Sequence, residues 1–296
     1  TAAPDLPIPV VRAVREWGAT LGCGAQGPIW GAGAKQDAEV KPAQTAALLE
    51  SGPRVNDAQA DRYLEQLRSF AMELHAQHLT PIQAGIRIRR YEILMRAAGQ
   101  PVSAAAPQEL IKGAEALGLG AVLDRRVVGE LLVWLAQRAE FWSGEPAQFS
   151  VNLTTGALSD ANFLNFVRLC LEKAQLPRGL VAFEAQHEFC RREPEYFAHL
   201  AAELERAGAG VVIDNFTLSE TGIDLLLQPG VRLVKLDPQL THELVSNRGR
   251  QARVAAIAQA ARVAGVHVVA KNVECEKSQA LLQALGVDFM QGYGAS

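Results

Sequence analysis

At 296 residues with 49% hydrophobic content, the chain is long enough to bury a large core, as one big domain or two ordinary ones. Lys and Arg total 29 against 32 Asp and Glu, a net charge of −3 with no basic run to track a phosphate backbone, so nucleic acid is not an expected partner. No stretch reaches the roughly 18 uncharged apolar residues that a membrane helix needs, and Thr1 opens an Ala/Pro segment without a basic or apolar signal region. A cytoplasmic location without membrane insertion is expected. Cys23, Cys170, Cys190 and Cys275 are far apart and form no CxxC pair, the pattern of reduced thiols.

Residues 1–56 are rich in Ala, Gly and Pro, with turn clusters at Gly22–Gly27 and Gly31–Gly33, and their periodicity assigns them no fold. From Asp57 the pattern sharpens. Tyr63, Leu64, Leu67, Phe70, Ala71 and Leu74 recur at helical spacing, which predicts an amphipathic linker helix from Asp57 to about Gln77, a linker spanning 57–78 and a separate domain over 79–296. Short apolar runs then alternate with longer helical patterns. The predicted strands are Leu79–Gln83, Arg87–Arg96, Phe149–Thr154, Leu180–Gln186, Gly210–Phe216, Arg232–Asp237, His267–Val273 and Asp288–Gln291. The predicted helices are Gln108–Leu117, Leu123–Gln137, Asp160–Ala174, Pro194–Ala207, Gln251–Ala264 and Lys277–Leu285. Such an alternation fits an α/β fold, either a (β/α)8 barrel or an open doubly wound sheet.

The polar residues favour the barrel. Glu92, Asn152, Glu184, Asp214, Lys235 and Lys271 each fall within or at the end of a different strand, and in a barrel those ends converge on one mouth. Three carboxylates and an Asn carbonyl form an all-oxygen set suited to Mg2+ or Mn2+, hard cations that assist phosphoryl chemistry. His75, His78, His199 and His242 lack ligand spacing and are expected at the surface.

In this order the motifs resemble those of the EAL family of cyclic di-GMP phosphodiesterases. Tyr91-Glu92-Ile93-Leu94-Met95-Arg96 is similar to the EAL signature in its usual setting, and Leu123-Asp124 to the LD pair that follows it. Ser150-Val151-Asn152-Leu153-Thr154 resembles the VN(L/I)S strand, Glu184 opens the counterpart of ExTE, and Val234-Lys235-Leu236-Asp237 resembles the KID strand. Ala270-Lys271-Asn272-Val273-Glu274 stands where AEGVE is expected, and Gln291-Gly292-Tyr293 matches QGY. The resemblance runs from about Leu79 to Tyr293. It implies a TIM-type barrel preceded by an N-terminal extension, with Glu92, Asn152, Glu184 and Asp214 as the ligands of a residual single-metal site for Mg2+ or Mn2+. It also implies Lys235 as a retained catalytic position, Arg96 on a phosphate, Asp124 on a guanine edge, and Leu94, Glu274 and Gln291 as further ligand-binding positions.

The departures from the pattern fall on the catalytic side. The second Asp of the family's DD pair, a ligand of its second metal, is Asn215, and the AEGVE glutamate that positions or deprotonates the attacking water is Lys271. A charged ammonium is no base and repels dications, and it is expected to pair with Asp214 or Glu184 instead. His187 replaces the second ExTE glutamate, Thr80 the Gln of QPI, and Phe216-Thr217-Leu218-Ser219-Glu220-Thr221-Gly222 the FGTGYSS loop. The resemblance thus implies a catalytically degenerate domain that needs no cofactor. It would act in bacterial cyclic di-GMP signalling as a nucleotide receptor or a regulatory module for another signalling protein or an upstream sensory module. The alternatives are an active phosphodiesterase in which Lys235 orients the water, and an interaction scaffold that binds no nucleotide.

Overall fold

A computed structural model describes residues 6–8, 57–100, 105–273 and 275–292. Eight strands close into a barrel: β2 (Met72–Pro81), β3 (Arg89–Ala97), β4 (Ala147–Asn152), β5 (Val181–Gln186), β6 (Gly210–Phe216), β7 (Val231–Leu236), β8 (His267–Lys271) and β9 (Phe289–Gln291). The short β1 (Leu6–Ile8) pairs with β2 from outside the ring. From β3 to β9 every neighbouring pair is parallel, while β2 runs antiparallel to both β3 and β9. The pairing of Thr80 with Met290 and of Pro81 with Phe289 closes the ring and excludes the open sheet.

The helices are α1 (Asp57–Ser69), α2 (Gln108–Ala116), α3 (Gly120–Gln137), α4 (Ala161–Ala174), α5 (Pro194–Ala207), α6 (Arg248–Ala264) and α7 (Glu276–Ala284), with shorter turns between them. The predicted elements after Arg87 fall within a few residues of these bounds. The linker helix does not: it stops at Ser69, and Met72–Pro81 is a strand. The burial of Met72, Leu74 and Ala76 follows a period of two, and eight consecutive residues, Met72–Leu79, pair with Arg90–Ala97. The barrel therefore begins at residue 72 rather than 79. The helix before it packs onto the domain, with Leu67 in the core, Tyr63 Oη donating to Leu110 O at 3.0 Å and Arg126 Nη1 donating to Leu67 O at 2.8 Å. Two histidines expected at the surface are also drawn in. His75 is buried and His78 is half-buried against the Tyr91 ring, whereas His199 and His242 are exposed. Residues 1–5 and 9–56, Cys23 and both turn clusters included, lie outside the described residues, as do Glu274 and Tyr293.

Strand alternation stacks the barrel interior in layers. Leu79, Ala182, Val212, Leu233, Val269 and Phe289 fill the middle, with Ile86 and Ile88 packed against them. Two residues further along each strand the same face carries Gln77, Glu184, Asp214, Lys235, Lys271 and Gln291, at the end where the parallel strands finish. Below the apolar layer the buried Arg90 reaches Gln148 Oε1 and His267 Nδ1, with its guanidinium over the Phe289 ring. Burial lowers this guanidinium's pKa to about 10, against a smaller opposing pull from Asp288. The outward faces, such as Val211, Ile213, Val234 and Val268, pack under the helices in the main core.

Candidate functional site

All eight barrel strands contribute a polar side chain to the mouth, and these side chains form two connected sets. The first centres on Glu92 and Glu184, carried by β3 and β5. Lys235 Nζ, from β7, lies 2.7 Å from Glu92 Oε2 and 2.7 Å from Glu184 Oε1. Asn152 Nδ2 donates to Glu92 Oε1 at 2.6 Å, and Gln291 Nε2 donates to Glu92 Oε2 at 2.5 Å and to Gln77 Oε1 at 2.7 Å. Among the described residues Glu184 Oε2 finds no hydrogen-bond donor.

Burial sets the protonation balance. It pushes Glu92 up, but Lys235 and the donors from Lys235, Gln291 and Asn152 outweigh it and hold this carboxyl below its ordinary value. Glu184 goes the other way. Burial, with repulsion from Glu92 and Asp214, overcomes Lys235 and lifts it to about 7. Burial alone would lower the Lys235 pKa, yet the flanking Glu184, Glu92 and Asp214 raise it, so the ammonium stays charged.

The second set is a closed ring. Lys271 Nζ donates to Asp214 Oδ1 at 2.6 Å and to Asn215 Oδ1 at 2.5 Å. Asn215 Nδ2 donates to Gln186 Oε1 at 2.7 Å, and Gln186 Nε2 donates back to Asp214 Oδ2 at 3.1 Å. Asn215 and Asn272 both hold a left-handed backbone, at φ 53° and 56°, a region that Asn tolerates better than most residues. The backbone at the departure from AEGVE therefore keeps a left-handed residue although Asn stands in place of Gly.

The other site residues lie at the margins. Because β2 and β3 continue past the mouth, Leu94 and Arg96 follow Glu92 on one face of β3, opposite His75 and Glu73 in the ladder. Leu94 is half-buried and Arg96 is buried, with Nη1 donating to Met95 O at 2.9 Å. Asp124, on α3, is buried behind the end of β4. Its Oδ2 accepts from both the N–H and the hydroxyl of Thr154, each at 2.7 Å. Burial lifts Asp124 to about 7, with those two hydrogen bonds acting against the rise. The clamp needs a close approach, since a Cβ on Gly120 would meet Thr154 Oγ1 at 2.5 Å. His187 is buried, 3.4 Å from Thr217 Oγ1 and beside the Phe216 ring. Its pKa is lowered by burial and by Arg191.

The sequence reading brought Glu92, Asn152, Glu184, Asp214, Lys235 and Lys271 to one mouth, the structure joins Gln291 to them, and Lys271 pairs with Asp214 as expected. It missed Gln77, hidden in the supposed helix, and Gln186, which lies two residues from Glu184 on the same face. The oxygen set does not fit a divalent cation as arranged. The Lys235 ammonium stands between Glu92 and Glu184 and the Lys271 ammonium against Asp214, and among the described residues no group of three or more His, Cys, Asp or Glu converges as a metal cluster.

Comparison with known proteins places this geometry. Cyclic di-GMP phosphodiesterase PdeB of Shewanella oneidensis is 24% identical over 234 residues, 79% of this chain and 27% of that protein. Cyclic di-GMP phosphodiesterase PdeF of Escherichia coli is 27% identical over 238 residues, 80% of this chain and 31% of its own length. The chain thus spans less than a third of these relatives. The FimX EAL domain from Pseudomonas aeruginosa bound to c-di-GMP shares the fold with a TM-score of 0.68 at 21% identity, covering 79% of this chain and 94% of that one. The PaMucR phosphodiesterase in its c-di-GMP complex does so with a TM-score of 0.68 at 23% identity, over 79% of this chain and 96% of that one. The EAL domain profile matches from residue 60 to residue 296, which takes in most of α1 and the whole barrel, and the chain belongs to the EAL domain family.

Proposed function

We propose that this domain receives cyclic di-GMP at the barrel mouth without hydrolysing it and passes that signal to an upstream module or another signalling protein. The observation that carries this reading is the Lys271 ammonium, 2.6 Å from Asp214, at the position where the family motif has the glutamate that acts on water. A charged amine there takes no proton, and Asn215 beside it lacks the charge of a second-metal ligand. Reception draws on other groups: Arg96 for a phosphate, Asp124 for a guanine edge, and Leu94, Gln291 and Glu274 as further binding positions.

Two measurements on the purified chain test the proposal. Chromatography after incubation with cyclic di-GMP in Mg2+ or Mn2+ should show no linear dinucleotide, and turnover at enzyme-like rates would establish the active alternative. Calorimetric titration should show binding that weakens with salt, and Arg96→Ala should cost about 1.5–3 kcal/mol, the worth of one charge-assisted hydrogen bond. Absence of binding at high micromolar nucleotide in low salt would leave the interaction scaffold.

A further inference from the structure

The mouth neutralises most of its own charge. Glu92, Glu184 and Asp214 bring three negative charges, and Lys235 and Lys271 bring two positive ones, each within 2.7 Å of a carboxylate oxygen. The two amines differ in setting. The Lys235 side chain is 1% exposed and locked between two glutamates, whereas the Lys271 side chain is 17% exposed and stands at the rim. Its surroundings are built for an ammonium. Asn215 must turn its carbonyl oxygen toward Nζ because its amide N–H is committed to Gln186, whose own amide is committed to Asp214. A dication entering between Asp214 and Asn215 would have to displace the ammonium, break this ring and stand beside an expelled positive charge. An ammonium has three N–H donors. Among the described residues Asp214 and Asn215 take two, which leaves the third for an anion arriving from the open side.

We infer that Lys271 is a resident counter-cation that takes the place of a divalent ion between β6 and β8, so that the mouth receives an anionic ligand without metal. The identity of that anion as a cyclic dinucleotide rests on the proposed function; the exclusion of the cation does not. The mouth's affinity for dications is then set by one residue. A carboxylate at 271 would place a fourth acid next to Asp214, and an apolar side chain would leave Asp214 without its counter-charge, and either change opens a place for the ion.

Electron paramagnetic resonance counts bound Mn2+ directly, because the six-line spectrum of the free ion is lost on binding. The wild-type chain titrated with MnCl2 should bind no ion that Asp214→Asn removes, and its thermal midpoint should be the same in EDTA and in Mn2+. Lys271→Glu, or Lys271→Met should the glutamate variant fail to fold, should bind one Mn2+ per chain and gain a saturable thermal shift, and adding Asp214→Asn should abolish both. A wild-type Mn2+ site that depends on Asp214, or Lys271 variants that gain none, would overturn the inference. Cyclic di-GMP supplies a second arm. Wild-type affinity should match in EDTA and in Mn2+, while Lys271→Glu should bind about tenfold more weakly in EDTA, the loss of one charge-assisted hydrogen bond. Wild-type protein that binds no nucleotide in either buffer refutes the receptor reading, and the Mn2+ count still decides the role of Lys271.

Discussion

Replacing Lys235 by methionine keeps an unbranched side chain of similar length and removes the charge that two buried glutamates share. Lys235 Nζ is 2.7 Å from both Glu92 and Glu184, and the three side chains are 1%, 10% and 0% exposed. Water cannot take over the lost contacts. Removing one partner of a buried ion pair costs about 3–5 kcal/mol, and at about 2–4 °C per kcal/mol for a domain of this size the midpoint should fall by about 6–20 °C. The cost falls unevenly on the two acids. Glu92 keeps its donors from Asn152 and Gln291, while Glu184 has an oxygen with no donor and sits at about 7 even beside the lysine. A carboxyl whose folded pKa lies above its ordinary 4.5 holds a proton more tightly in the native state, so stability falls as pH rises from about 4.5 through the folded value. Without the ammonium the folded value rises further, and Lys235→Met should lose more at pH 8 than at pH 6. Adding Glu184→Gln removes the stranded charge and should restore most of the midpoint. Thermal unfolding followed by circular dichroism measures all three proteins. A loss below about 2 °C for the single variant, or a double variant no more stable than the single, would refute the argument from buried charge.

Asp124 offers a second pH signature. Its folded pKa of about 7 against an ordinary 3.8 makes the wild type lose stability as pH rises between those values, whereas Asp124→Asn keeps an oxygen for Thr154 and carries no charge. Relative to wild type, the variant should gain up to about 3 kcal/mol between pH 5 and pH 8, and parallel stability–pH curves would show Asp124 to be ionised throughout. Gly292→Ala should destabilise the domain by about 1–3 kcal/mol in denaturant titration, because its Cβ would come 2.4 Å from the Val273 carbonyl oxygen, a backbone atom with little freedom to retreat. A neutral result there would mean that β9 yields more than its neighbours allow.

How far the sequence could be read follows from what each feature depends on. Strands such as Gly210–Phe216 are buried on both faces and stand out as unbroken apolar runs between turn residues, so their bounds were legible. The second strand was not. Phe70, Ala71 and Leu74 extend the helical spacing of the residues before them, while Met72, Leu74 and Ala76 obey a period of two. Only the ladder with β3 decides between these readings. Losing that strand hid Gln77 and made His75 look exposed. At the mouth the residues were legible through their motifs, and of their contacts the pairing of Lys271 with Asp214 was expected while the amide partners were not. The ring from Gln186 through Asp214, Lys271 and Asn215 depends on which amide faces which oxygen, and the clamp of Asp124 on Thr154 depends on how closely Gly120 lets a helix approach a strand end. Both are facts of three-dimensional register.

The layered interior also bears on how the domain comes to be competent. Gln77, Glu92, Asn152, Glu184, Asp214, Lys235, Lys271 and Gln291 come from eight different strands, the first and last of which meet through the contact of Gln77 with Gln291 beside the β2–β9 seam. No strand supplies more than one of these eight. The Glu184–Lys235 and Asp214–Lys271 pairs need only the parallel strands β5 to β8, whereas the contacts of Gln291 with Gln77 and Glu92 wait for the ring to shut, a long-range closure of the kind that forms slowly. A nascent chain that has not yet made β9 presents Glu92 without its Gln291 donor. The complete mouth is a property of the closed barrel and of no part of it.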